Sequence, residues 1–189
     1  FGDLVTCKDW SHLWLNEGFA TYYTHLYEGH AQGRDAMLYG LYQDAENRVL
    51  PRSDDKRPIV FNEYTNPMQQ FDFRSYPKGG WVLHMLRSQL GDDLYRRCIK
   101  AYLEKHAYTS VVSDDLRQVI EAHSGRPFDR FFDQWVYSPG SPELKDRLRL
   151  AGQAGPCQSH GHSNPQGRQR RPHLSLPYRA PVCCGWRGD

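Results

Sequence analysis

The sequence predicts a mainly α-helical fold followed by a disordered tail. Three observations carry that reading. Apolar residues recur at helical spacing in stretch after stretch between Trp10 and Trp135. No run alternates convincingly between apolar and polar residues over five or more positions. Composition then changes sharply near Lys145, beyond which neither pattern persists.

The first helix is expected from about Trp10 to Tyr27, with Leu13, Trp14, Ala20, Thr21, Thr24 and Tyr27 on one stripe. The second is expected from Asp35 to Val49. A loop through Pro51-Arg-Ser-Asp-Asp follows, then a short apolar piece, Ile59-Val60-Phe61, and a turn at Asn66-Pro67. Pro77 suits the first turn of a third helix, which runs through Val82, Leu83, Leu86 and Leu90 to Gly91. The fourth spans about Asp92 to His106. Ser113 can cap the fifth, with Asp114 and Asp115 favourable at its N-terminal dipole, and Gly125 ends it. The sixth starts at Arg126-Pro127 and carries Phe128, Phe131, Phe132 and Trp135. There is no internal repeat.

Whole-chain averages conceal the seam. The 189 residues have a net charge of +2, 39% hydrophobic and 13% aromatic content, and a mean hydropathy of −0.78. Residues 146–189 contain seven Arg, no Lys and two Asp, so they carry +5 and leave −3 for residues 1–145. The tail also holds six Gly, five Pro and three of the five Cys, with no Phe, Ile or Met. It buries too little apolar surface to offset the entropy of ordering it. Two readings of the tail compete: an Arg-rich arm for nucleic acid or an acidic partner, and an out-of-frame translation of a GC-rich gene. The lack of any period in its Gly, Pro, His and Cys favours the second. Cys157, His160, His162, Cys183 and Cys184 match no zinc-site spacing. Cys7 and Cys98 form no motif. The overall balance gives no expectation of nucleic-acid binding, and no apolar run approaches the ~20 residues that span a membrane.

Glu17 stands out in the first helix. Its neighbours at helical spacing are Leu13, Trp14, Ala20 and Thr21, and no Lys or Arg lies three or four residues away. A buried carboxylate is costly unless it is paired, protonated or metal-bound. Gly18 costs a helix about 1 kcal/mol relative to Ala, so something is expected to approach the backbone closely there. Periodicity alone favours a Glu bonded to a neighbouring helix or facing solvent.

The local sequence sharpens this. Phe1-Gly-Asp-Leu-Val-Thr-Cys-Lys-Asp-Trp-Ser-His-Leu-Trp-Leu-Asn-Glu-Gly-Phe-Ala closely resembles the M1 family of zinc aminopeptidases. In that family the metal site is H-E-x-x-H, then eighteen residues, then a Glu within W-L-N-E-G-F-A. The resemblance makes Glu17 the third zinc ligand. It places both ligand histidines and the general-base Glu upstream of Phe1, so the chain is expected to begin just after the H-E-x-x-H helix. A chain opening with Phe1 rather than Met agrees with a cut, processed or incomplete N-terminus.

A second match is Arg74-Ser75-Tyr76-Pro77-Lys78-Gly79-Gly80-Trp81-Val82-Leu83, which resembles the family's S-Y-x-K-G-a-x-V-L. Tyr76 follows Glu17 by 59 residues, where the family spacing is roughly sixty. The resemblance implies a catalytic Tyr76 whose hydroxyl helps zinc to stabilise the oxyanion. Gly79-Gly80 would let the helix start approach the site closely. Further similarity runs through Leu86-Arg-Ser-Gln-Leu-Gly-Asp-Asp-Leu-Tyr and Phe131-Phe-Asp-Gln-Trp-Val to Gly140-Ser-Pro-Glu-Leu.

The resemblance therefore implies that residues 1–145 are the helical C-terminal part of a thermolysin-like catalytic domain. It implies Zn2+ as cofactor and a peptide with a free N-terminus as substrate. His12, His25, His30, His84, His106 and His123 show no H-x-x-x-H spacing and are read as surface or core residues, with His25 a poor substitute ligand. The chain alone is expected to lack activity, since one carboxylate cannot hold zinc in a three-ligand site. The family's G-x-M-E-N segment, which recognises the free amine, is also absent from this sequence. Two alternatives stand beside this reading: a zinc-free M1-like binding or scaffold module, and a relative that also opens an epoxide.

Overall fold

The computed structural model describes residues 1–140. Expectations that fall on residues 146–189 lie outside the described residues. The described part is a helical unit built on six α-helices and one small pair of strands.

Strand β1 (Val5–Cys7) leads through a tight turn, Trp10–His12, into α1 (Trp14–Gln32). The sequence placed this helix at Trp10 to Tyr27. Asp9 instead accepts a hydrogen bond from the Ser11 N–H at 3.0 Å and holds Trp10–His12 as a separate turn. At the other end the helix runs on through polar residues to Gly33, whose φ of 99° stops it. Helix α2 (Arg34–Asp44) continues into a wider-wound turn, Ala45–Val49, as the sequence indicated.

Helix α3 (Gly79–Leu90) is preceded by a wide helical turn, Arg74–Lys78. Pro77 therefore lies inside helical winding rather than at its start. Pro77 has no N–H to donate, and the Lys78 N–H reaches back to the Phe73 carbonyl at 2.9 Å. Helix α4 (Asp92–His106) has the expected bounds. Its first turn is acidic and its last turn basic, which suits the helix dipole at both ends.

Strand β2 (Thr109–Val111) pairs in parallel with β1, Val5 opposite Thr109 and Cys7 opposite Val111. Three residues are too few to show an alternating pattern, so the sequence did not announce this pair. Helix α5 (Ser113–Ser124) ends at Gly125, which is left-handed at φ 66°. Ser113 does not cap it. Asp115 reaches back to the Val112 N–H at 2.8 Å, while Ser113 is fully buried and bonded to α1. Helix α6 (Asp129–Phe132) is a single turn that widens through Asp133–Tyr137.

The core lies between α1, α3, α4 and α5. Trp14, Phe19 and Tyr22 of α1 meet Val82, Leu83 and Leu86 of α3, Cys98 and Tyr102 of α4, and Leu116 and Ile120 of α5. Each large side chain so buried contributes roughly 1.5–3 kcal/mol. Phe1 stacks on Phe19 at 4.2 Å, which fastens the start of the chain to this core.

Candidate active site

The two site residues singled out by the sequence lie on different elements, and a glycine contact brings them together. A Cβ built on Gly18 of α1 would sit 2.9 Å from the Gly79 carbonyl carbon and 3.1 Å from its Cα. From the other side, a Cβ on Gly79 would lie 3.2 Å from the Gly18 Cα. The two backbones therefore cross in direct contact, which only glycine permits on both sides. Glu17 is one residue from this crossing, and Tyr76 is three residues before Gly79.

The consequence is electrostatic contact between the pair. Partial burial pushes the Tyr76 phenol up from its ordinary pKa, and the nearby Glu17 carboxylate pushes it further. Of the two influences of Glu17, its charge is the larger and a side-chain hydrogen bond with the phenol the smaller. Tyr76 thus keeps its proton and remains a hydrogen-bond donor at neutral pH. Glu17 is half-buried and forms no salt bridge among the described residues. It is not fully enclosed, as its stripe of apolar neighbours suggested it might be.

A cavity of about 400 Å³ opens beside Tyr76, walled by Phe71, Phe73, Pro77, Arg48 and Arg52. The Arg52 guanidinium lies over the Phe73 ring at 5.3 Å, and Arg74 lies over it at 4.9 Å. Arg74 is neutralised by Asp55 at 2.5 Å and by Asp72. Burial works against the Asp55 carboxylate, but the Arg74 hydrogen bond, the Arg57 N–H and neighbouring positive charge hold its pKa below the usual range. Beneath this turn, buried Lys78 donates to the Gly140 carbonyl at 2.8 Å. Burial lowers the pKa of that ammonium. These loop contacts fix the turn that carries Tyr76, and no sequence pattern pointed to them.

Zinc requires more than this chain's described residues offer. Glu17 suits the role of one carboxylate ligand, but no three His, Cys, Asp or Glu side chains among the described residues are grouped to hold a metal ion. Three of the histidines have partners elsewhere. His12 Nδ1 accepts from the Ser113 N–H at 3.2 Å and lies 2.9 Å from the Ser113 hydroxyl. The same hydroxyl accepts from Trp14 Nε1 at 2.8 Å. His25 sits between Asp44 at 2.8 Å and Glu28 at 3.3 Å. His84 Nδ1 lies 3.1 Å from the Tyr22 hydroxyl.

This architecture matches that of zinc metallopeptidases. An M1 zinc metallopeptidase mutant from Deinococcus radiodurans, solved with a Tyr-Ser-Ala substrate, superposes with a TM-score of 0.62 at 29% identity, covering 78% of this chain and 32% of that one. Native yeast LTA4 hydrolase superposes with a TM-score of 0.65 over 77% of this chain and 25% of that one; at 23% identity, that likeness bears on the fold alone. The sequence pattern of the Peptidase family M1 domain matches residues 1–135, and the chain belongs to that family. Aminopeptidase M1 of Arabidopsis thaliana is 32% identical over 158 residues, which is 79% of this chain and 17% of that protein. Tricorn protease-interacting factor F2 of Thermoplasma volcanium is 35% identical over 161 residues, covering 79% of this chain and 20% of that protein. The chain thus spans about a fifth or less of these two relatives.

Proposed function

We propose that this chain supplies part of the catalytic centre of a zinc-dependent aminopeptidase. Glu17 is the carboxylate ligand of the metal, and Tyr76 is the donor that meets the oxyanion. The observation that carries this reading is the contact of Gly18 with Gly79, which holds the carboxylate and a protonated phenol beside one another. When a peptide carbonyl is attacked, its oxygen gains negative charge. A fixed O–H donor aimed at that oxygen stabilises the charge, and loss of one such donor costs about 10²–10³ in kcat. The cavity beside Tyr76 offers room for a substrate side chain against Phe71 and Phe73.

The substrate class follows from the family: a peptide with a free N-terminus. On this reading the two histidine ligands belong to sequence preceding Phe1 in the intact protein. The 189-residue chain by itself then binds zinc weakly and hydrolyses nothing, since a catalytic zinc site needs three protein ligands. Metal analysis and an aminoacyl-anilide assay on the purified chain test this. Near-stoichiometric zinc accompanied by hydrolysis would overturn it.

A further inference from the structure

Tyr76 sits in the middle of a turn that is weakly held by its own backbone. The turn Arg74–Lys78 is wound wider than an α-helix, and Pro77 brings no N–H to it. The Tyr76 N–H reaches the Asp72 carbonyl at 3.2 Å and the Lys78 N–H the Phe73 carbonyl at 2.9 Å. A short winding of this kind gains little from such bonds alone. Its ends carry cations. Arg74 opens the turn and Lys78 closes it, so Tyr76 lies two residues from each. Both are withdrawn from solvent: the Arg74 side chain is 12% exposed, and Lys78 is buried.

Asp55, from a remote loop, serves both cations. Its Oδ2 accepts from Arg74 Nε at 2.5 Å. Its charge also reaches the Lys78 ammonium and favours the charged form there, against burial and against the Arg74 charge. The carboxylate is itself held, because Oδ1 accepts from the Arg57 N–H at 3.3 Å. The backbone around it abuts Gly140: a Cβ built on Gly140 would lie 3.4 Å from the Ser53 carbonyl oxygen and 3.8 Å from that of Asp55. Gly140 in turn accepts from Lys78 Nζ at 2.8 Å. Residues 53–55, Gly140 and the two ends of the turn therefore close a ring of contacts in which Asp55 is the shared anion. Asp72 holds Arg74 as well. It lies two residues before Arg74 in the same segment, however, and cannot anchor the turn to the rest of the fold.

We propose that Asp55 is a positioning residue for Tyr76: through Arg74 and Lys78 it holds the phenol against Glu17. Its catalytic meaning rests on the role given above to Tyr76, but the positioning is measurable without catalysis. Removing the Asp55 charge leaves two largely buried cations at the ends of one turn with less to offset them, and a buried charge without its partner is costly. The turn then relieves that cost by opening toward solvent, which carries Tyr76 away from Glu17.

Native-state hydrogen exchange followed by nuclear magnetic resonance on the 189-residue chain tests the proposal. In Asp55→Asn the Tyr76 and Lys78 amides should exchange at least about tenfold faster, matching the loss of one hydrogen bond to a charged group. Amides in the middle of α4 should keep their wild-type rates. The nuclear Overhauser contact between the Tyr76 ring and the Glu17 side chain should weaken in the same variant. Asp55→Glu, which keeps the charge, should recover most of the protection and of the contact. Arg74→Gln should reproduce the faster exchange, whereas Asp54→Asn, at the exposed neighbouring carboxylate, should change neither readout. The Asp55 side chain is 20% exposed, so circular dichroism should show its variants folded. Unchanged exchange at Tyr76 and Lys78 in Asp55→Asn, acceleration no greater than that in α4, or loss of the fold in both Asp55 variants would overturn the proposal. The catalytic reading fails separately, if Tyr76→Phe leaves kcat unchanged in a protein that completes the metal site.

Discussion

Replacing Gly18 by alanine adds one methyl group where α1 meets the backbone of α3. That methyl would fall 2.9 Å from the Gly79 carbonyl carbon and 3.3 Å from the Gly80 nitrogen. Comfortable carbon contacts are about 3.5–4.0 Å, so one helix must retreat by roughly 0.6–1 Å. The obstructing atoms are backbone and cannot rotate away. Alanine itself favours helix over glycine by about 1 kcal/mol. Overpacking of this kind costs about 1–3 kcal/mol, and the upper half of that range applies where side chains cannot yield. The balance is a net destabilisation of about 1–2 kcal/mol, or a melting point lowered by roughly 3–8 °C for a unit of this size. Thermal unfolding followed by circular dichroism reads this directly. A Gly18→Ala chain that melts at or above the wild-type temperature would refute the backbone crossing.

Other outcomes follow from the same contacts. Ser113→Ala removes the acceptor of the buried Trp14 indole N–H and should cost about 1–3 kcal/mol in urea unfolding. Burial depresses the His12 pKa below its ordinary value of 6.5. The unfolded chain therefore takes up that proton first as pH falls. The His12 contribution should be intact above about pH 6.5 and lost as pH drops toward the folded-state value, and His12→Asn should flatten that slope. Tyr76→Phe removes a hydroxyl from a partly exposed side chain and should leave stability within about 0.5 kcal/mol. In a longer protein that completes the site, the same change should cut kcat by about 10²–10³.

Much of the helical layout was legible in the residues. Gly91, the paired Asp92 and Asp93, and Lys105-His106 mark both ends of α4, because each obeys a local rule of dipole or chain direction. Gly125 likewise announced the end of α5. Pro77 misled, because a proline can sit within a widened helical turn as well as begin a helix. Ser113 misled for another reason: its hydroxyl was claimed by Trp14 and His12, some hundred residues away in sequence, in preference to its own helix. The β1–β2 pair is also long-range and too short to show a period.

The candidate site divides in the same way. Gly18 and Gly79-Gly80 were conspicuous because glycine inside a helix needs a reason, and the reason proves to be each other. Glu17 and Tyr76 were picked out through motif resemblance. The Lys78–Gly140 clamp was not, since it depends on which loop meets the turn before α3 in space.

The central claim is that Glu17 is a metal ligand whose histidine partners lie outside this chain. The most direct measurement is zinc stoichiometry of a protein in which an H-E-x-x-H helix precedes Phe1, with and without Glu17→Gln. The account predicts about one zinc per chain, retained through dialysis, and most of it lost in the Glu17→Gln protein. Undiminished zinc in the Glu17→Gln protein would contradict it.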